Sequence, residues 1–290
     1  MDDVALAEAF DRRRPRLRAV AYRMLGSLSE ADDAVQDAWL RLWRTDVERI
    51  DSLDGWLTTV VGHLCLNALR ARRNRREAPL DAFRPEPIVD PADGSDPEHE
   101  AVLADSVGMA LQVVLDTLGP TERTAFVLHD LFAVPFDDIA TMLERTPEAT
   151  RQLASRARRR VRDGAPTPDP DPKRQRTVVD AFFAAARDGD LDALVAVLDP
   201  DVVLRAHRRA AAPIELRGAL RVGRGAMGAR RFAPYVRPAL INGAAGVVAF
   251  DHGRPFAVLA FTVVGDRAVA IDVFNDRDLV PRLDLRGVTA

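Results

Sequence analysis

Residues 134–162 read VPFDDIATMLERTPEATRQLASRARRRVR, and this stretch decides the architecture. A short helix offers Ile139, Ala140 and Leu143 as an inner face. A turn then ends at Thr146, which suits an N-cap, followed by Pro147 at the first helical position, where its missing N–H costs nothing. In the second helix Leu153, Ala157 and Val161 recur every four residues and are expected to face a core. That is the layout of a helix-turn-helix, whose second helix reads base edges from its N-terminal half and meets phosphates farther along. Arg151, Gln152 and Ser155 are therefore candidate base contacts, because Arg binds guanine bidentately and Gln pairs with adenine. Arg156, Arg158, Arg159, Arg160 and Arg162 are candidate phosphate contacts. The competing reading is a solvated helix face: 40 of the 41 basic residues are Arg, so arginine count alone decides little.

Outward from this segment, 290 residues suffice for two or three domains of roughly 100–200 residues each. A content of 47% hydrophobic and 6% aromatic residues suits an Ala- and Leu-rich, largely helical soluble protein. No apolar run approaches the roughly 20 residues that span a bilayer, so no membrane partner is expected and the cytoplasm is the expected compartment. Cys65 is the single cysteine, which leaves no intramolecular disulfide and no cysteine-rich zinc site. Neither cofactor nor metal is expected.

Residues 1–76 read as helices, with apolar spacing of three and four in LRAVAYRML and DAVQDAWLRLWR, a stop at GSLSEADD with Ser29 as N-cap, and a long helix from about Asp54. Residues 77–104 hold five Pro, eight acidic residues and one Arg, the composition of an extended acidic linker. Helices resume over 105–163, and a Pro-rich linker follows at 164–174. Residues 175–290 change pattern: helices RTVVDAFFAAARDGD and LDALVAVL precede strand-like runs DVVLRA, ALINGAAGVVAF, PFAVLAFTVV and AVAIDVFND, an α+β domain.

The stretch AYRMLGSLSEADDAVQDAWLRLWR with GWLTTVVGHLCLNALRARR resembles region two of bacterial extracytoplasmic-function (ECF) sigma factors, and residues 110–161 resemble their region four. Residues 174–285 resemble the SnoaL-like domain, of the nuclear transport factor 2-like fold, carried by the sigma-J-type subgroup. AHRRAAAP departs from the Gly-rich turn usual there after the first strand. The resemblance implies two all-α modules followed by a SnoaL-like cone with a curved antiparallel sheet. It implies a non-enzymatic initiation factor whose partners are core RNA polymerase and promoter DNA. Alternatives are a ligand-sensing helix-turn-helix regulator, or a SnoaL-like enzyme with an accessory DNA-binding part.

By resemblance, Asp33, Gln36, Asp37, Trp39, Leu40 and Trp43 dock on the polymerase; core packing of Trp39 and Trp43, four apart on one face, is the open alternative. His63, Asn67, Arg70 and Arg73 form one helical stripe and are assigned to the −10 element. Pro85, Glu86 and Pro87 of the linker, with Asn275, Asp276 and Leu279 of the tail, are assigned an intramolecular regulatory contact. In the last domain Arg205, His207, Asp251, His252, Asp272 and Asn275 are polar candidates; no spacing among them marks a catalytic pair, and an unknown small ligand is a further possible partner.

Overall fold

The computed structural model describes residues 3–75, 85–94, 108–207 and 214–288. It forms two compact units, one of Met1–Leu80, Ala101–Asp105 and Gln112–Gly164, the other of Asp81–Glu100, Ser106–Leu111 and Ala165–Ala290. Among the described residues no helix is long and apolar enough to cross a membrane.

The first unit is helical. It comprises α1 (Asp3–Asp11), α2 (Arg14–Leu25), α3 (Leu28–Trp43), α4 (Leu53–Arg75), the later part of α5 (Gly108–Thr117), α6 (Pro120–Phe126), α7 (Phe136–Leu143) and α8 (Pro147–Gly164). α2 stops at Gly26, which takes the left-handed φ of 74° that glycine tolerates. Ser27, extended immediately after it, is the N-cap of α3 and accepts from the Glu30 amide at 3.5 Å. The cap therefore lies two residues before the expected Ser29, whose hydroxyl pairs with that of Ser27 at 3.0 Å.

The two helical modules share this unit. α4 packs against α6 and α7, and a methyl group on Gly62 would come 2.8 Å from Met142 Cε and 3.1 Å from Leu128 Cδ1. Three side-chain donors reach carbonyls in the last turn of α2, where backbone partners run out. Gln112 Nε2 reaches Tyr22 O at 3.4 Å, Arg123 reaches Arg23 O, and Arg72 Nη1 reaches Leu25 O at 2.9 Å. Burial draws the Arg123 pKa down, while Asp116 at 3.3 Å holds the charge in place. Arg72 also pairs with Glu30. Arg72 and Arg123 are thus internal fasteners.

The second unit packs α9 (Pro172–Asp188), α10 (Leu191–Ala196) and α11 (Ala219–Gly228) on a seven-stranded sheet. The strands are β1 (Val89–Pro91), β2 (Leu198–His207), β3 (Ile214–Arg217), β4 (Val236–Ile241), β5 (Ala244–Asp251), β6 (Arg254–Val264) and β7 (Arg267–Phe274), in the order β1-β4-β5-β6-β7-β2-β3. Every pairing is antiparallel except β2 with β7, which is parallel, so the sheet is mixed rather than wholly antiparallel. Phe182, Phe183 and Phe261 centre the core in edge-to-face contacts at 5.3, 5.4 and 5.9 Å.

The acidic linker departs from expectation in its middle. Residues 89–91 add a strand to β4, Ile88 and Val89 are buried, and Asn242 clamps Ile88 from both sides. Its amide donates to Ile88 O at 2.8 Å and its side-chain oxygen accepts from Ile88 N at 2.9 Å. Two apolar residues in a charged stretch are enough to complete a sheet edge. The Pro-rich linker is also shorter than read, because Asp171 caps α9 and Pro172 opens it.

Candidate nucleic-acid and polymerase interfaces

On α3, Ala31, Ala34, Val35, Ala38 and Leu42 form the buried face. Asp33, Gln36 and Asp37 are exposed on the other side, joined by Leu40 at 45% and Trp43 at 52% exposure. Trp39 is half-buried, with its ring 5.0 Å from Phe10 of α1 and 5.6 Å from Trp43. The two tryptophans thus divide the readings the sequence left open: Trp39 joins the packing and Trp43 stands on the surface. A cavity of about 320 Å³, lined by Ala7, Phe10, Asp11, Arg14, Gln36 and Trp39 among others, borders the same face.

Along α4, Asn67, Arg70 and Arg73 are exposed, as their stripe requires, and His63 is half-buried. Desolvation, reinforced by Arg41 and Arg70, draws the His63 pKa down, and Glu144 opposes them. His63 is thereby held towards the neutral form, able to make directional hydrogen bonds without adding charge.

On α8 the capped start is as expected, with Thr146 Oγ1 accepting from the Ala149 amide at 3.2 Å. The inner face is rotated from the expected one: Thr150, Ala154 and Ala157 are buried, while Leu153 and Val161 are half-buried. Small residues take the closest positions because α8 lies tight against α6 and α7. Arg151, Gln152, Ser155, Arg156, Arg158 and Arg159 are all exposed.

Their pairing separates them. Arg151 pairs with Glu148 at 3.3 Å, and its guanidinium lies 5.5 Å from the Phe136 ring centre. Arg156 and Arg160 share Glu122 at 3.2 and 3.0 Å, and Arg158 pairs with Asp130. Acids on neighbouring elements thus hold three of the phosphate-contact candidates in fixed orientation, a support invisible in a local reading.

In the second unit Pro85 and Pro87 are buried and Glu86 is half-buried. Asn275 is exposed and Leu279 half-buried. Asp276 instead caps the tail turn, accepting from the Asp278 and Leu279 amides at 2.8 and 3.1 Å. The parallel register of β2 and β7 brings together three of the polar candidates. His207 Nε2 lies 2.9 Å from Asp272 Oδ1, and Arg205 Nη1 lies 3.8 Å from the same oxygen. His207 stacks on Phe274 at 4.6 Å. Asp251 and His252 stand apart on the exposed β5–β6 turn.

Family models for sigma-70 region 2 and sigma-70 region 4 match residues 9–75 and 108–161. The chain is 40% identical over 274 residues to the ECF RNA polymerase sigma factor SigJ of Mycobacterium tuberculosis, spanning 91% of this chain and 86% of that one. It is 34% identical to the probable ECF RNA polymerase sigma factor SigI of the same species, with 92% of each covered. The crystal structure of M. tuberculosis SigJ superposes with a TM-score of 0.76 at 34% identity, covering 98% of this chain and all of that one.

Proposed function

The chain belongs to the extracytoplasmic-function RNA polymerase sigma factors, and from that membership we infer how its surfaces divide the work of transcription initiation. It binds core RNA polymerase and promoter DNA as an initiation factor. The α3 face of Asp33, Gln36, Asp37, Leu40 and Trp43, with Trp39 behind it, docks on the core enzyme. Asn67, Arg70 and Arg73, with neutral His63, meet the −10 element. Arg151, Gln152 and Ser155 read the −35 element, while Arg156, Arg158 and Arg159 hold the phosphates. The single observation that carries this reading is the solvent exposure of Leu40 and Trp43 on a helix whose opposite face is fully packed. Large apolar side chains held in water on one face fit a protein partner.

The second unit regulates rather than catalyses in this reading. The buried His207–Asp272 pair ties β2 to β7, and Pro85–Pro87 with the tail are structural parts of that unit. In vitro transcription with core polymerase tests both halves. The full chain is expected to initiate from a template bearing both elements and to fail when either is scrambled. A chain ending at Gly164 is expected to retain promoter dependence with altered transcript yield. Equal yields from the two chains on every promoter would overturn the regulatory role, and no transcript from the full chain would overturn the assignment of surfaces.

A further inference from the structure

One run of the second unit is basic throughout. Residues 216–241 contain six arginines and not one acidic residue, nor any Asn, Gln, Ser or Thr. This run makes the crossover from edge strand β3 to β4 through α11 and a 3-10 turn, Arg230–Tyr235. Ala219, Val222 and Gly223 pack α11 on the core. Arg221 and Arg224, three apart and so on one face, point outward, followed by exposed Arg230 and Arg231. Arg254 is exposed at the start of β6, and Phe256 two residues on lies 4.6 Å from Phe232, whose ring the Arg231 guanidinium covers at 4.6 Å. Tyr235 is 58% exposed.

These arginines differ from those of α8. Arg156, Arg158 and Arg160 each meet an acid. Among the described residues, no ion-pair partner within 4.0 Å accompanies Arg221, Arg224, Arg230, Arg231 or Arg254. None contributes to the core, and clustering them unpaired costs electrostatic repulsion, which a polyanion relieves. Exposed glycines in the run, Gly225 and Gly228, keep the backbone low; at Gly228 a Cβ would meet nothing within 4 Å. A bulky backbone can approach closely there.

We propose that the outer face of α11 and its 3-10 turn is an additional DNA-contact surface, which holds the sugar–phosphate backbone of promoter DNA through Arg221, Arg224, Arg230 and Arg231. The choice of DNA over an acidic protein rests on the polyanion on which this family already acts. Arginines that meet phosphates alone position the duplex without reading it, so the contact is independent of sequence. Phe232 and Phe256, in ring contact at 4.6 Å, stiffen the turn that carries Arg230 and Arg231.

The test uses the full chain with core polymerase and a fluorescent promoter duplex, titrated across salt. Each phosphate contact adds about 0.9 to the slope of log affinity on log salt, so R221A/R224A/R230A should lower that slope by about 2 to 3. The affinity loss between about 50 and 200 mM salt should shrink by roughly 40-fold. Promoter and scrambled duplex should be affected alike, and the triple Arg→Lys variant should retain the wild-type slope. An unchanged slope in the alanine variant overturns the proposal. So does a loss confined to core-polymerase binding, measured without DNA, which would assign the face to an acidic protein surface. The proposal rests on the chain acting at promoters: a wild-type complex that ignores DNA would sink that reading, whereas wild type and variant binding alike would sink only this one.

Discussion

The Arg123 guanidinium donates to the Arg23 carbonyl oxygen through both Nε, at 3.2 Å, and Nη2, at 3.1 Å, with 2% of the side chain exposed. Its planar fork closes the end of α2 from α6, and Asp116 balances the charge. Arg123→Ala would strand that carbonyl and leave a partly buried Asp116 without its cation. Chemical denaturation should show a loss of about 3–5 kcal/mol. Arg123→Lys should recover less than half, since an ammonium cannot reproduce the fork. An alanine variant as stable as wild type would remove this contact from the account of stability.

Trp43→Ala should weaken binding to core polymerase by about 2 kcal/mol, roughly 30-fold, if Trp43 is an anchor of the docking face. Its thermal unfolding should stay at the wild-type temperature, because the side chain is half in water already. Biolayer interferometry and a melt separate the outcomes. A lowered melting temperature with unchanged affinity would return Trp43 to a packing role.

Base-reading and phosphate-holding residues should fail in different ways. Arg151→Ala and Gln152→Ala should each cost about 1–3 kcal/mol and relax preference at single positions of the −35 element. Arg159→Ala should weaken all duplexes alike and reduce the salt slope by about 1. Competition binding against a panel of single-base variants makes the distinction.

His63 gives a signed pH dependence. Its folded pKa lies below the ordinary 6.5. The unfolded chain therefore binds the proton more readily, and stability rises with pH across the gap. It is fully present above 6.5 and is lost as pH falls through the folded value. Denaturation curves of wild type and His63→Gln should diverge least at neutral pH, with the wild type losing more on acidification. Parallel curves would leave His63 without this role.

Gly246→Ala should destabilise the second unit. Its new Cβ would sit 2.4 Å from Ile241 Cγ1 and 2.6 Å from the Leu259 carbonyl oxygen, and the backbone oxygen cannot retreat without breaking the β5–β6 ladder. Hydrogen exchange should accelerate in β4–β6 and stay unchanged in α2 and α4.

What the chain discloses locally was legible. Thr146, Pro147 and the apolar spacing of α7 mark the turn from neighbours in sequence, and α4 is found within a residue of its expected start. What depends on distant partners was not. β1 and β3 are three and four residues long, too short for alternation to register. α11 carries three glycines, poor helix formers, and is held by packing that no local pattern shows: at Gly223 a Cβ would lie 3.0 Å from Leu191. His207 and Asp272 are 65 residues apart and meet only through a parallel register. Arg72 and Arg123 look like any other arginine until burial sets them apart.

The pairing of residues 89–91 with β4 also divides the connection between the two promoter-reading modules. Twelve residues separate Arg75 from Ile88, and sixteen separate Pro91 from Gly108. Extended chain reaches at most about 3.6 Å per residue, so the spans are limited to roughly 45 and 60 Å. The connector therefore works as two short leashes anchored at one sheet edge instead of one long tether.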